Sequence, residues 1–325
     1  MIAKFQARKF AAKLVLLFAI VLISYQLLYR PIPKPALYFL ADNAAGWLIN
    51  EGASARSVPK RLANLWIEQS IIAHIHDNQI LPEKMDDVDR IARRLTLLRP
   101  MLISQLELRH NEVASSTMLT GLGKCSGINN AAAILLSHDF SRVEMIDVDG
   151  DQADDGHSYG RLWSVQYKDW IYFDIWTPQV QIFRITDQRL IYLHRIDLPI
   201  ATRANIDVTR TKVMHEKALS VHVQIRLQST FGGYIWYRIR NYLDHGNTWE
   251  KNADLRRTQL RPQIGPAIVI PRNSTNMPRS YLKARLQQIF GDTKRAKRNY
   301  QSVAHSKDPP NSSFAQAASL FARQL

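Results

Sequence analysis

A single cysteine, Cys125, stands in the 325 residues. No internal disulfide can form, so the fold must rest on its apolar core. Hydrophobic residues make up 46% of the chain, enough for one or two domains with a real interior. Acidic residues are missing from the first 34 positions, which hold six lysines and arginines. Acids are also scarce in 251–325, three against fourteen basic residues. The net charge of +15 therefore sits at the two ends, because 35–250 has 23 basic and 25 acidic residues, or −2. A nearly neutral body excludes reading the overall basicity as a nucleic-acid surface. Few aromatics interrupt the charges of 251–325, so that stretch suits an anionic membrane or polymer better than nucleic acid.

Charge is absent from Leu14 to Tyr29. Counted from Phe10, with Lys13 snorkelling, the apolar run reaches about 20 residues, enough to cross a bilayer core. Four basic residues (Lys4, Arg8, Lys9 and Lys13) precede it and two, Arg30 and Lys34, follow closely. That bias predicts a single-pass inner-membrane anchor with a cytoplasmic N-terminus and a periplasmic remainder. A cleaved signal peptide would need a small-x-small site, and the run ends instead in Tyr-Gln-Leu-Leu-Tyr-Arg. The lone thiol then lies in an oxidising compartment, where it is either buried and inert or kept for its reactivity.

Residues 1–29 read as a cytoplasmic tip and anchor, and 30–58 as a stalk opened by the proline-spaced RPIPKPA. Residues 59–250 read as the main domain, and 251–325 as a basic linker and C-terminal helices. Apolar residues recur at three and four positions from Pro59 to about His110, with Pro82 and Pro100 as punctuation, which predicts helices. Gly121-Leu-Gly123-Lys-Cys125 reads as a loop, and Ser126–His138 as a helix with a small-residue face. The period then changes. Val143–Val148, His157–Tyr167, Trp170–Ile185, Arg189–Arg195, Ala218–Gln228 and Tyr234–Arg240 read as strands, 251–279 as a loop, and 280–325 as helices. Helices followed by a strand meander and further helices make an α+β fold.

Three residues along this order carry candidate chemistry. Cys125 follows two glycines that permit a sharp turn and opens a helix, whose positive end favours a thiolate. The unpaired N–H groups there suit an oxyanion. His157 opens a strand after Asp154-Asp155-Gly156, a rigid seat for a base. Asp174 lies in the apolar run Trp170-Ile-Tyr-Phe-Asp174-Ile-Trp176, where a carboxylate needs a partner and an imidazole N–H would serve. Each alone has an ordinary reading: a core cysteine, a turn-capping histidine, an aspartate bound to a nearby amide. Together they suit nucleophile, base and orienting carboxylate. A two-residue hairpin at Lys168-Asp169 would set Asp174 opposite Trp163, so reaching His157 calls for a longer loop or a bulge.

The run Gly123-Lys-Cys125-Ser-Gly-Ile-Asn-Asn-Ala, then His157-Ser-Tyr, then Trp170-Ile-Tyr-Phe-Asp174 resembles the transglutaminase-like superfamily, over roughly residues 118–178. The resemblance implies a papain-like core with a helix packed on an antiparallel sheet. It also implies an amide-cleaving or amide-transferring thiol enzyme acting through an acyl-thioester on a protein or peptide. The sequence departs from the family at Tyr159, where tryptophan is common, and at Ile175-Trp176, where the family often has Pro-Thr. A non-catalytic scaffold with this fold, serving an envelope or polysaccharide assembly system through its C-terminal helices, is the alternative.

No cofactor or metal is expected. Asp147-x-Asp149-x-Asp151 begins like a calcium loop, but Gln152 stands where glycine is required and no glutamate closes it. His74 and His76 are two apart in a helical segment and face different directions. The segment Gly291-Asp292 to Ala296 and Tyr300 looks like the second helix of a tetratricopeptide repeat, and one such unit reads as a helical appendage rather than an array.

Overall fold

In the computed structural model, the structure describes residues 15–16, 18–19, 30–43, 58–104, 114–148, 157–187, 189–198, 224–227, 278–305 and 313–325. Helices α1 (Lys34–Asn43), α2 (Val58–Asp77) and α3 (Asp87–Leu98) come first. A short parallel pair follows, β1 (Ile103–Ser104) with β2 (Leu122–Gly123), flanking α4 (Ala114–Thr120) and leading into α5 (Cys125–Leu136). Strands β3 (Val143–Val148), β4 (His157–Ser164), β5 (Asp169–Asp174), β6 (Gln179–Thr186), β7 (Arg189–Asp197) and β8 (Gln224–Leu227) form one antiparallel sheet in the order β7-β6-β5-β4-β3-β8. Helices α6 (Arg279–Ile289), α7 (Thr293–Ala304) and α8 (Ser313–Gln324) close the chain. The mixed α+β class follows from the change of period in the sequence.

Local rules account for the elements that seat the site. Asp86 caps α3, its carboxylate accepting from the N–H groups of Val88 at 2.8 Å and Asp89 at 3.4 Å. Helix α5 is buried from Ser126 to Leu136, which its glycine and alanines permit by letting neighbours approach on every side. Ile128, Ala131, Ala132 and Leu135 share one core with Met145, Leu162, Ile171 and Phe173 from one face of the sheet. Gly160 is required on that face, because a Cβ there would lie 2.0 Å from the Phe173 ring.

Several boundaries differ from the sequence reading. The proline-rich 30–36 segment does not stand off as a stalk. Proline is tolerated in a first helical turn, and α1 begins at Lys34 with Leu37 and Ala41 buried. The chain before it is tied to α2: the Ile32 N–H donates to Ser70 Oγ at 2.8 Å, and Trp66 Nε1 donates to the Arg30 carbonyl at 2.8 Å. The helix read towards His110 ends at Leu98, where Arg99-Pro100-Met101 tightens into a 3₁₀ turn that delivers β1, and 105–110 lie outside the described residues. Trp170–Ile185 is two strands, broken at 175–178, where Pro178 lacks the N–H that a continuing ladder needs. Helices α6, α7 and α8 belong to the same core as α5, through Tyr281, Leu286, Tyr300 and Phe321.

The apolar run 10–29 lies almost wholly outside the described residues. The four of it that are described are helical, with Val15, Leu16 and Phe18 exposed. No helix among the described residues is long and apolar enough to cross a membrane. The acidic turn 149–156, the strand expected at Tyr234–Arg240 and most of the 251–279 loop also lie outside them.

Candidate active site

The turn between β4 and β5 spans Val165–Lys168, with Lys168 at φ 52°, and pairs Ser164 with Asp169 and Gly160 with Phe173. This is the longer loop that the hairpin argument called for. One more step of that register sets Asp174 opposite Tyr159, two residues from His157 on the same side of the sheet, a diagonal within side-chain reach. His157 begins β4 and Asp174 ends β5, so both lie at one end of the sheet. His157 Nε2 meets Asp174 Oδ2 at 2.6 Å, with both side chains buried. The Cys125 sulfur hydrogen-bonds the same imidazole. All three residues singled out in the sequence thus come together.

Burial by itself would push the His157 pKa down. The Asp174 charge and hydrogen bond outweigh it, the Cys125 sulfur adds to them, and the result is pushed up to about 10. The balance favours the charged ring, which faces a carboxylate on one side and sulfur on the other.

Cys125 is half-buried at the first position of α5. Lys124, the N-cap residue, makes no side-chain cap hydrogen bond, so the first-turn N–H groups meet no capping side chain. The approach to the sulfur is fixed from below. Gly121 has φ +70°, and a Cβ there would meet the Phe321 ring at 2.6 Å. Gly123 sits against Thr117 and Ile128, where a Cβ would come within 2.7 and 2.9 Å. Phe321 belongs to α8, so the C-terminal helices shape the turn into the cysteine. Arg285 of α6 donates twice to the Met118 carbonyl, at 2.6 and 3.2 Å, and Tyr281 Oη donates to the Thr120 carbonyl at 2.6 Å.

Two buried residues given no role in the sequence reading complete the surroundings. Asn129 lies one helical turn after Cys125, and its amide reaches Asp174, Ser158 and Ile175. The i, i+4 spacing was a signal that placed it on the cysteine's side of the helix. Arg99 is fully buried and pairs with no carboxylate among the described residues. It donates to the carbonyls of Thr177 (3.0 Å), Leu102 (2.6 Å) and Trp176 (3.3 Å) and to Ser104 Oγ (2.7 Å). Burial lowers its pKa to about 10 against the opposing pull of the Asp174 charge. A lone charge in Leu97-Leu-Arg99-Pro-Met-Leu102 was its visible mark.

His74 and His76 are occupied elsewhere, His74 Nε2 with the Ile32 carbonyl at 2.7 Å and His76 Nε2 with Asp139 at 3.2 Å. Among the described residues no cluster of three or more histidine, cysteine or acidic side chains could hold a metal ion. Compared with family models, curated proteins and solved structures, the chain matches none.

Proposed function

We propose that this chain is a membrane-tethered thiol enzyme of transglutaminase-like type, cleaving or transferring an amide bond with Cys125, His157 and Asp174. One observation carries the reading: a buried imidazole held between a carboxylate at 2.6 Å and a half-buried sulfur at a helix start. A merely structural histidine gains nothing from that second partner. In the proposed cycle the Cys125 thiolate attacks the substrate carbonyl carbon, and the oxyanion faces the first-turn N–H groups of α5. The His157 imidazolium gives its proton to the leaving amine as the C–N bond breaks, leaving an acyl-thioester and a neutral ring. That ring takes a proton from water or from a second amine as it attacks, and the sulfur departs as thiolate, which restores the starting thiolate and imidazolium. Asp174 remains ionised and fixes the ring's orientation. Hydrolysis is favoured over transamidation because water needs no second binding site.

The anchor reading of 10–29 rests on its length and on the four-to-two charge bias about it. It places the site in the periplasm, on a protein or peptide substrate. The experiment is complementation of a deletion strain by Cys125→Ala, His157→Ala and Asp174→Asn, with protein levels checked by blot. Loss of the phenotype in all three at normal abundance is expected. Wild-type behaviour from all three would leave a scaffold in an envelope assembly system as the reading.

A further inference from the structure

Asn129 engages both Nδ2 protons and its Oδ1 at the site. Its Nδ2 group donates to Asp174 Oδ1 at 2.8 Å and to the Ser158 carbonyl at 2.7 Å, and its Oδ1 accepts from the Ile175 N–H at 2.9 Å. Ser158 follows His157, and Ile175 follows Asp174. A single fully buried side chain, four residues after Cys125, therefore grips the strand of the base, the strand of the acid and the acid itself. We propose that Asn129 is the positioning residue that registers the nucleophile helix against the His157–Asp174 pair.

The carboxylate shows why such a residue is needed. Asp174 Oδ1 accepts from both Asn129 Nδ2 and the Trp176 N–H, the latter at 2.9 Å, while Oδ2 faces His157. With Oδ1 held twice, the carboxylate cannot rotate, and Oδ2 stays aimed at Nε2. Packing alone could set the distance between helix and strands but not the roll of the carboxylate. Its neighbours Ile128, Ala131, Ala132, Ala133 and Leu135 are apolar and equally buried, and are suited to packing alone. A carboxamide in such a helix costs desolvation unless its polar atoms are met, and here both are met by groups adjoining the site.

This inference rests on the proposed triad and is tested separately from it. Full-length chain in detergent micelles is compared as wild type, Asn129→Ala and Asn129→Asp. The readouts are thermal stability, the ¹⁵N-imidazole titration of His157, and the pH dependence of Cys125 alkylation by iodoacetamide. Removing Asn129 is expected to move the His157 titration down towards neutrality and to slow alkylation by about 10- to 100-fold, as for other partners that orient a reacting group. Lower thermal stability with the titration and alkylation unchanged would reduce Asn129 to a structural role and overturn the proposal. Alanine suits this alanine-rich helix, and aspartate keeps the volume should alanine fail to fold. In the wild type, the Asn129 Nδ2 protons should exchange with solvent as slowly as core amides, and fast exchange would overturn the proposal without any variant. A wild-type Cys125 that resists alkylation defeats the triad instead, and the His157 titration still tests Asn129.

Discussion

Asp174 makes its strongest demand on His157, and the pH at which that demand acts can be worked out. The ring's folded pKa, about 10, lies above its unfolded value of about 6.5. The pair's contribution to stability is therefore fully present below pH 6.5 and is lost as pH rises through 10. Denaturant titrations of wild type and Asp174→Asn should differ most just below pH 6.5, where the carboxylate is still ionised, and converge between pH 7 and 10. A gap that grew with pH would mean the ring is neutral in the folded chain. Arg99 is tested by a change that keeps its charge. An ammonium offers a point donor where the guanidinium holds the Trp176 and Thr177 carbonyls, Leu102 and Ser104 together. Arg99→Lys should lose about 1–3 kcal/mol for each carbonyl left unmet, read from denaturation midpoints. Cys125, His157 and Asp174 were legible because each stands in a local context that suits a reactive group. Asn129 and Arg99 carried only faint marks, a helical spacing and a lone charge, because most of their partners lie 29 to 46 and up to 78 residues away along the chain. Only the folded chain brings those carbonyls into reach.

Among the elements, the link between the C-terminal helices and the turn into Cys125 is the one with the sharpest consequence. Gly121 is held at φ +70° with Phe321 of α8 and Arg285 of α6 against the place a Cβ would take. Gly121→Ala should cost about 1–2 kcal/mol for the left-handed backbone alone, and more for the collision. Shortening the ring in a Gly121→Ala, Phe321→Leu pair should recover the part due to collision and not the backbone part, a separation that thermal melts of the two variants would show. Helix and strand periods made most of these elements readable. The boundaries that escaped depend on single prolines: Pro35 sits in a helix start where it was read as a breaker, and Pro178 ends a pairing that the apolar pattern carries straight through. The pattern records which residues are apolar, and a missing N–H leaves no mark on it.

For the molecule as a whole, the charge asymmetry about 10–29 sets the expected topology. Protease added to intact spheroplasts should digest everything after the anchor, and full protection would reverse the orientation. The single cysteine then makes the central claim directly measurable, since any thiol adduct must lie at Cys125. The measurement is intact-protein mass spectrometry of the native, membrane-reconstituted chain exposed to an electrophilic peptide amide analogue. Wild type, His157→Ala and denatured wild type are compared side by side. The account predicts one adduct on native wild type and a far slower reaction in His157→Ala. Labelling that appears only after denaturation, or that is indifferent to His157, would contradict it.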